Sequence, residues 1–219
     1  MVEIDVNSWM RELRAKLVDA FGNRLVLVGI QGSRARGEER ETSDIDSVVV
    51  IEELTAKDIE VFRGVVGTMP HAELACGFIG SPEVLAAWPR YDVFNLVNDT
   101  RVLQGSFDFM NTNFTTNDAL LSAKAGASEI YHTLCHTLAF ESETLEAVVE
   151  ACVKNTFFVM RALVFARSGE YLVSRARMRS FASDQELVFL DAYDADEALD
   201  AAALANVLIE WAQVVITQT

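Results

Sequence analysis

Residues 32–46 run Gly32-Ser33-Arg34-Ala35-Arg36-Gly37-Glu38-Glu39-Arg40-Glu41-Thr42-Ser43-Asp44-Ile45-Asp46. Two kinds of chemistry share this one stretch. A Gly-Ser turn lets backbone approach a ligand closely and adds a hydroxyl, which suits phosphate oxygens. Asp44 and Asp46 stand one residue apart. Two carboxylates that close repel each other until a cation lies between them. Mg²⁺ matches such a donor set, because it takes hard oxygen ligands and keeps room for phosphate oxygens and water. A pair of such ions could activate an attacking oxygen and stabilise a leaving pyrophosphate, so the stretch points to metal-dependent nucleotidyl transfer.

The flanking elements must hold these groups in place. Residues 25–30, Leu-Val-Leu-Val-Gly-Ile, form an almost continuous apolar run and read as a buried strand. The segment 35–37 is expected to begin a short helix whose free N–H groups face an anion. Residues 47–51, Ser-Val-Val-Val-Ile, read as a second buried strand. Alternate side chains of a strand share a face, so Asp44 and Asp46 should point the same way and Ile45 into the core. An Asp-x-Asp alone is often a solvated strand end, and a Gly-Ser pair alone is a common turn. Their order between two apolar strands is what sets this stretch apart.

On these residues the segment resembles the nucleotidyltransferase superfamily, the DNA polymerase beta-like group. Gly-Ser-x-Ala-Arg-Gly followed by Ser-Asp-Ile-Asp looks like the bacterial minimal and aminoglycoside-type members. The resemblance implies an α/β core with a mixed sheet, two Mg²⁺ ions and an ATP-like donor. It implies that Gly32 and Ser33 bind the donor phosphates and that Asp44 and Asp46 bind the metals. It also implies a third carboxylate on a later strand, in an apolar-acid-apolar setting. Residues 71–79 read as that strand, and Glu73 between Ala72 and Leu74 is the expected third metal ligand or general base for an acceptor hydroxyl. Asp92 is the second choice. A Glu73 turned away from Asp46 would point instead to nucleotide binding without transfer. The apolar segment 92–98, followed by Val102-Leu103-Gln104-Gly105, resembles the closing element of the same domain.

The chain has 219 residues, enough for one large domain or two small ones, and half of them are hydrophobic. Its 18 basic and 33 acidic residues give a net charge of −15. That balance argues against nonspecific binding to nucleic acid, whose phosphates reward basic surface. It is compatible with a cationic acceptor. The segment 1–9 carries Glu3 and Asp5 and no apolar core of a signal peptide. No run reaches the ~20 apolar residues of a membrane span. A cytoplasmic protein is therefore expected. Cys76, Cys135 and Cys152 are odd in number and scattered, and are expected to be buried, reduced thiols. His132, Cys135 and His136 lack a partner cluster and read as helix-face residues rather than a zinc site.

The pattern divides the chain near residue 112, into an expected nucleotidyltransferase domain over 1–111 and a helical domain over 112–219. In the first, Trp9, Leu13, Leu17 and Phe21 predict a helix over 8–21. Strands are expected at 24–31, 45–52 and 71–79, a helix over 55–66 capped by Thr55, and a short helix opened by Ser81 and Pro82. Residues 91–97 read as a short helix or strand, and 101–103 as a strand. The Asn- and Thr-rich segment 108–116 reads as a connection. Helices are then expected over 117–141, 145–168, 186–193 and 197–216, with Gly169 stopping the second. The last is nearly all Ala, Leu, Val and Ile, with an Ala-rich start at 198–205, so it should pack inside the bundle or against a partner subunit.

The second half resembles the helical domain that accompanies nucleotidyltransferases of the aminoglycoside (kanamycin) type and related HEPN-like proteins. The resembling residues are Lys154-Asn155, Arg161-Ala162-Leu163 and the run from Ser168 to Arg175, with its Gly-x-Tyr-x-x-Ser-basic piece. HEPN ribonucleases place a His closely after an Arg, and no His follows Arg161, which argues against RNase activity. A triphosphate calls for cations beyond Mg²⁺. Arg36, Lys154 and Arg175 are the candidates for it, with Arg34 also flanking the Gly-Ser turn. Glu129, Glu141 and Glu143 are candidates on the acceptor side.

The expected fold class is an α+β nucleotidyltransferase domain, with a mixed α/β sheet, followed by an all-α helical bundle domain. The expected function is Mg²⁺-dependent transfer of a nucleoside monophosphate, AMP from ATP in the first instance, to the hydroxyl of a small molecule such as an aminoglycoside. Two other functions stay open: a protein-AMPylating, antitoxin-like module, and a catalytically inactive nucleotide-binding protein. A homodimer through the apolar last helix is a further possibility.

Overall fold

The computed structural model describes residues 4–40, 42–195 and 200–218. Glu3, Glu41 and the expected start of the last helix, Glu197 and Ala198, lie outside the described residues. The chain forms two compact units, one of Met1–Pro89 with Leu96–Asn113, the other of Arg90–Asn95 with Phe114–Thr219. An N-terminal mixed sheet with flanking helices is followed by an all-α bundle.

The sheet of the first unit has four strands, β1 (Leu25–Gln31), β2 (Ile45–Ile51), β3 (Ala75–Gly80) and β4 (Arg101–Gly105), in the order β3-β2-β1-β4. β1 pairs antiparallel with β2 and β4, and β2 pairs parallel with β3. The two central strands are the two continuous apolar runs, and Leu27, Val28, Ile30, Ile45, Val48, Val49 and Val50 are fully buried. Helix α1 (Val6–Phe21) lays Trp9, Leu13, Leu17 and Phe21 into the core that Val28, Ile30, Ile45 and Val49 share. It begins at Val6 rather than at residue 8, because the Asp5 carboxylate accepts from the N–H groups of Asn7 and Ser8 and so caps it. Thr55 and Asp58 form a reciprocal capping box for helix α3 (Ala56–Val66). Between β1 and β2 lies the short helix α2 (Gly32–Arg36). It starts three residues before the expected point, and Gly37, in the left-handed region at φ 70°, ends it.

The strand expected over 71–79 forms only from Ala75. Residues Ala72–Leu74 are a single 3₁₀ turn entered through His71 at φ 58°. The reason lies in the partner strand: β2 begins at Ile45, whose register partner is Ala75, so earlier residues have no ladder to join. After β3 come helix α4 (Pro82–Ala87), with Ser81 as N-cap and Pro82 at its first position, and helix α5 (Arg90–Asp99).

The second unit contains helices α6 (Thr116–Phe140), α7 (Leu145–Ser168), α8 (Arg175–Met178), α9 (Asp184–Asp194) and α10 (Ala201–Gln218). The brief α8 is not expected from the periodicity of the sequence. Leu134, Phe157, Met160, Leu163, Phe189, Leu208 and Trp211 meet in one core. Phe94 of α5 is fully buried there, edge-on to Phe114, Phe165 and Tyr171. Arg90 forks onto Asp118, the residue whose carboxylate closes the cap of α6. These contacts place 90–95 with the helices instead of with the strands on either side in sequence. Helix α10 is long and apolar enough to cross a membrane by length and composition. It presents Leu204, Leu208, Trp211 and Val215 to the helical core.

Candidate functional site

The polypeptide leaves β1 at Gln31, which faces Asp46 across the antiparallel ladder. Gly32 then turns at φ +77°. A Cβ on Gly32 would lie 2.0 Å from Oδ2 of Asp46, so the carboxylate fills the space a side chain would need. Ile45, the first residue of β2, is fully buried and Asp46 after it is half-buried, while Asp44, just ahead of the strand, is exposed, in keeping with the alternation the Asp-x-Asp spacing predicts. Burial pushes the Asp46 carboxyl above the usual Asp range, and the neighbouring Asp44 charge adds to it. Arg36 opposes the rise and Asp99 reinforces it.

The residues around this pair are fastened to one another. Arg34, 6% exposed, donates from Nε to the carbonyl of Ser43 at 3.0 Å and so ties α2 to the residue before Asp44. The Ser33 carbonyl accepts from the Gly37 and Glu38 N–H groups. Its hydroxyl has no hydrogen-bond partner among the described residues. Arg36 is held between two acids, with Nε 2.9 Å from Glu38 Oε2 and Nη1 3.1 Å from Asp99 Oδ2. Asp99 also faces the Gly32 N–H, at 3.5 Å.

Asp99 has no place among the sequence-derived candidates, yet its side chain is only 3% exposed and it bears directly on Asp46. The available signal is positional. Asp99 ends α5 two residues before Arg101, and Arg101 pairs with Ile30 at the end of β1. An acid there must arrive beside the Gly32 turn.

Gly32, Ser33, Arg36, Asp44 and Asp46 thus come together in the first unit. Glu73 is placed differently. It sits on the 3₁₀ turn ahead of β3, its side chain is 72% exposed, and its Oε1 lies 3.6 Å from His71 Nδ1. The β3 residue in register with Asp46 is Cys76. Register neighbours on parallel strands point to the same face, so a thiol stands where a carboxylate on β3 would join the pair. Cys76 is exposed, contrary to the expectation of a buried thiol, because β3 is an edge strand. Cys152 is buried, and burial pushes its thiol up to about 11.

The remaining candidates lie in the second unit. Lys154 is paired with Glu150 one helical turn away, Nζ to Oε1 2.7 Å, and its side chain is half exposed. The Arg175 guanidinium lies 3.8 Å over the Tyr193 ring. Asp92 is on α5 and Glu129 on α6, both exposed. Glu141 lies 3.7 Å from His136, and Glu143 is on the exposed turn Ser142–Thr144. Arg161, fully buried, stacks over Phe157 and donates to the Val173 carbonyl at 2.7 Å, so it anchors the segment after Gly169. Among the described residues no group of three or more His, Cys, Asp or Glu side chains is drawn together tightly enough to hold a metal ion alone.

Residues 10–77 match the nucleotidyltransferase domain family. No curated protein matches the chain in sequence. Among solved structures, the fold is similar to that of the spectinomycin adenyltransferase AAD(9) from Enterococcus faecialis, solved with ATP and spectinomycin. The TM-score is 0.60 at 12% identity, over 94% of this chain and 99% of that one. A toxin–antitoxin structure with AMP-PNP also matches, at a TM-score of 0.33 and 17% identity, over 64% of this chain and 98% of that one.

Proposed function

We propose that this protein is a Mg²⁺-dependent nucleotidyltransferase that moves a nucleoside monophosphate, AMP from ATP in the first instance, to the hydroxyl of a small-molecule acceptor. The observation that carries the proposal is the packing of Asp46 against Gly32 with Asp44 beside it. Two carboxylates, one of them raised by burial and by its neighbour, are set directly against a Gly-Ser turn.

These residues fit Mg²⁺. Hard carboxylate oxygens are present, and two carboxylates with substrate phosphates make a common Mg²⁺ ligand set. Asp44 and Asp46 would hold the metal, two ions in the full site. Bound there, it would neutralise charge on the phosphates of the donor. The Gly32-Ser33 turn receives the donor phosphates, with the Ser33 hydroxyl as a donor group. Arg36 supplies fixed positive charge behind the turn, and Lys154 and Arg175 are the candidate cations of the helical unit. The acceptor hydroxyl attacks the α-phosphorus in line, its proton passes to a carboxylate of the chain, and pyrophosphate leaves. Glu73 and Glu129 are the carboxylates to test for that proton. The similarity in fold to a spectinomycin adenyltransferase makes aminocyclitols and aminoglycosides the first acceptors to try.

A second reading has its own observation. Glu73 is exposed beside His71, and Cys76 takes the β3 position next to Asp46. A site with no third carboxylate on β3 would bind nucleotide without transferring it.

One experiment separates the two. Pyrophosphate release is measured from each NTP with Mg²⁺, with and without a panel of aminoglycosides including spectinomycin, beside Asp44→Ala and Asp46→Ala variants. Release that requires one acceptor and vanishes in both variants supports small-molecule transfer. Mg²⁺-dependent ATP binding without release, across the panel, supports the binding protein and turns the search to protein acceptors.

A further inference from the structure

Helix α6 ends in a repeat that the Asp44–Asp46 site does not use. His132, His136 and Phe140 recur at every fourth residue. Four residues make a little more than one helical turn, so the three side chains climb one face. The ring centroids of His132 and His136 are 6.1 Å apart, and those of His136 and Phe140 are 5.1 Å apart. All three residues are exposed. Cys135, between the histidines in sequence, is turned about 100° round the helix from His136 and is half-buried.

A carboxylate meets this face from the end of the helix. Glu141 follows the last residue of α6, and its Oε1 lies 3.7 Å from Nε2 of His136. The backbone of Glu141 is fixed on both sides. Its N–H donates to the Thr137 carbonyl at 2.9 Å, and its carbonyl accepts from the Thr144 N–H at 3.0 Å and from the Thr144 hydroxyl at 2.9 Å. The acid thus has a set origin, while its side chain, 57% exposed, is able to turn.

The chemistry of these groups selects an ion. Two imidazoles one turn apart on a helix make a chelate for Zn²⁺ and its neighbours among the divalent transition metals. Mg²⁺ takes oxygen ligands instead. Two ligand atoms, each ~2.0–2.2 Å from a tetrahedral Zn²⁺, stand about 3.4 Å apart. The 3.7 Å between His136 and Glu141 is close to that edge. The three groups do not share one coordination sphere as they stand. Exposed side chains change rotamer within nanoseconds, however, and Cβ atoms four residues apart on a helix are only ~5–6 Å apart.

We propose that His132, His136 and Glu141 form a Zn²⁺ site on the surface of the helical unit, with water in the fourth position. Closing it takes side-chain rotation alone, and the ion would join the last turn of α6 to the turn that leads into α7. The inference is independent of the transfer reading.

The test titrates the untagged full chain with ZnCl₂, and with MgCl₂ beside it, by calorimetry and by the NMR signals of the histidine rings. The chain has three histidines, and the third, His71, lies in the first unit with a carboxylate of its own, Glu73, at 3.6 Å. His71 is therefore an internal control for a single His–carboxylate pair. The His132 and His136 rings should shift together on addition of Zn²⁺ while that of His71 does not, and Mg²⁺ should move none of them. His132→Ala and His136→Ala should each weaken Zn²⁺ binding here by at least about tenfold, and Glu141→Gln by at least about threefold, as a chelate losing one ligand does. These side chains are largely in solvent, so melts of the variants in EDTA should match that of the parent. Cys135→Ser and His71→Ala should leave the affinity unchanged. Asp44→Ala/Asp46→Ala removes Zn²⁺ held by the acidic pair of the first unit and should leave both histidine shifts intact, so the two sites are read separately. A shift confined to one of the two rings, an affinity that survives His132→Ala or Glu141→Gln, or an affinity lost in Cys135→Ser would overturn the inference. So would the absence of any shift below about 1 mM Zn²⁺, which would leave His136 and Glu141 as an exposed ion pair only.

Discussion

Gly32 and Asp46 interlock: the carboxylate of one occupies the volume in which the other would carry a side chain, 2.0 Å from an added Cβ. The turn and the acid are therefore built as one object. Gly32→Ala makes the point testable. The left-handed backbone at φ +77° costs a non-glycine residue about 1–2 kcal/mol. For a chain of this size each kcal/mol lowers Tm by roughly 2–4 °C. The methyl must also displace the Asp46 carboxylate. The expected outcome is a melt lowered by a few degrees together with Mg²⁺–ATP affinity reduced by at least about tenfold, or ~1.4 kcal/mol. Titration calorimetry and a thermal melt on the same variant check both. An affinity unchanged from the parent would separate Asp46 from nucleotide binding.

Asp99 carries a structural load behind that turn. It is nearly buried and shares Arg36 with Glu38, while facing the Gly32 N–H. Removing one member of a buried pair leaves the other charge poorly compensated, at a cost of about 3–5 kcal/mol. Glu38 remains to Arg36, so Asp99→Ala should fall near the low end, about 3 kcal/mol. Urea unfolding measures it. Asp99→Asn, which keeps an acceptor for Arg36, should recover part of the loss; a loss as large as that of alanine would mean that the charge itself is what matters.

How much of this was legible follows from where each signal resides. The Gly32–Asp46 stretch was readable because its chemistry is local: a turn, a strand and two acids within one stretch of chain. Apolar periodicity likewise found α1 and α7, the Thr55 cap found α3, and Gly169 marked the end of α7. Asp99 was not legible, because its role arises from strand pairing. Only the β1–β4 register brings the end of α5 to the turn at Gly32. The strand over 71–74 failed for a related reason, since residue types suited to a strand form none without a partner. Residues 90–95 were divided from their flanks by Phe94 and Arg90, whose contacts are with residues far along the chain.

The Thr55–Asp58 cap gives a prediction about pH. The Arg24 guanidinium, followed by the Thr55 hydroxyl and N–H, holds the Asp58 carboxyl far below its usual 3.8. A carboxyl whose folded pKa is depressed contributes stability above its unfolded pKa and loses it as pH falls toward the folded value. The contribution of Asp58 is therefore intact at neutral pH and drains away below about pH 4. Asp58→Asn should melt several degrees below the parent at pH 7, and the gap should narrow steadily from pH 4 to pH 2. A gap that stays constant over that interval would show that the carboxylate charge contributes nothing.

The β3 position beside Asp46 decides between transfer and binding alone. Cys76 shares a register with Asp46 and is exposed, so an acid there meets no packing obstacle. Cys76→Asp should place a third carboxylate on the face of the Asp pair. Three carboxylates hold Mg²⁺ more tightly than two, and the added charge repels its neighbours without the ion. The expected result is a rise of at least tenfold in Mg²⁺ affinity, with faster pyrophosphate release if the acceptor proton then has a base. Glu73→Gln is the companion. With its side chain largely in solvent beside His71, the change should alter release by less than about threefold, within the range of a surface substitution. A loss of a hundredfold or more in Glu73→Gln would require the turn at 72–74 to swing its carboxylate toward Asp46 when metal and nucleotide are bound. Glu73 would then be the third ligand, and Cys76 a bystander.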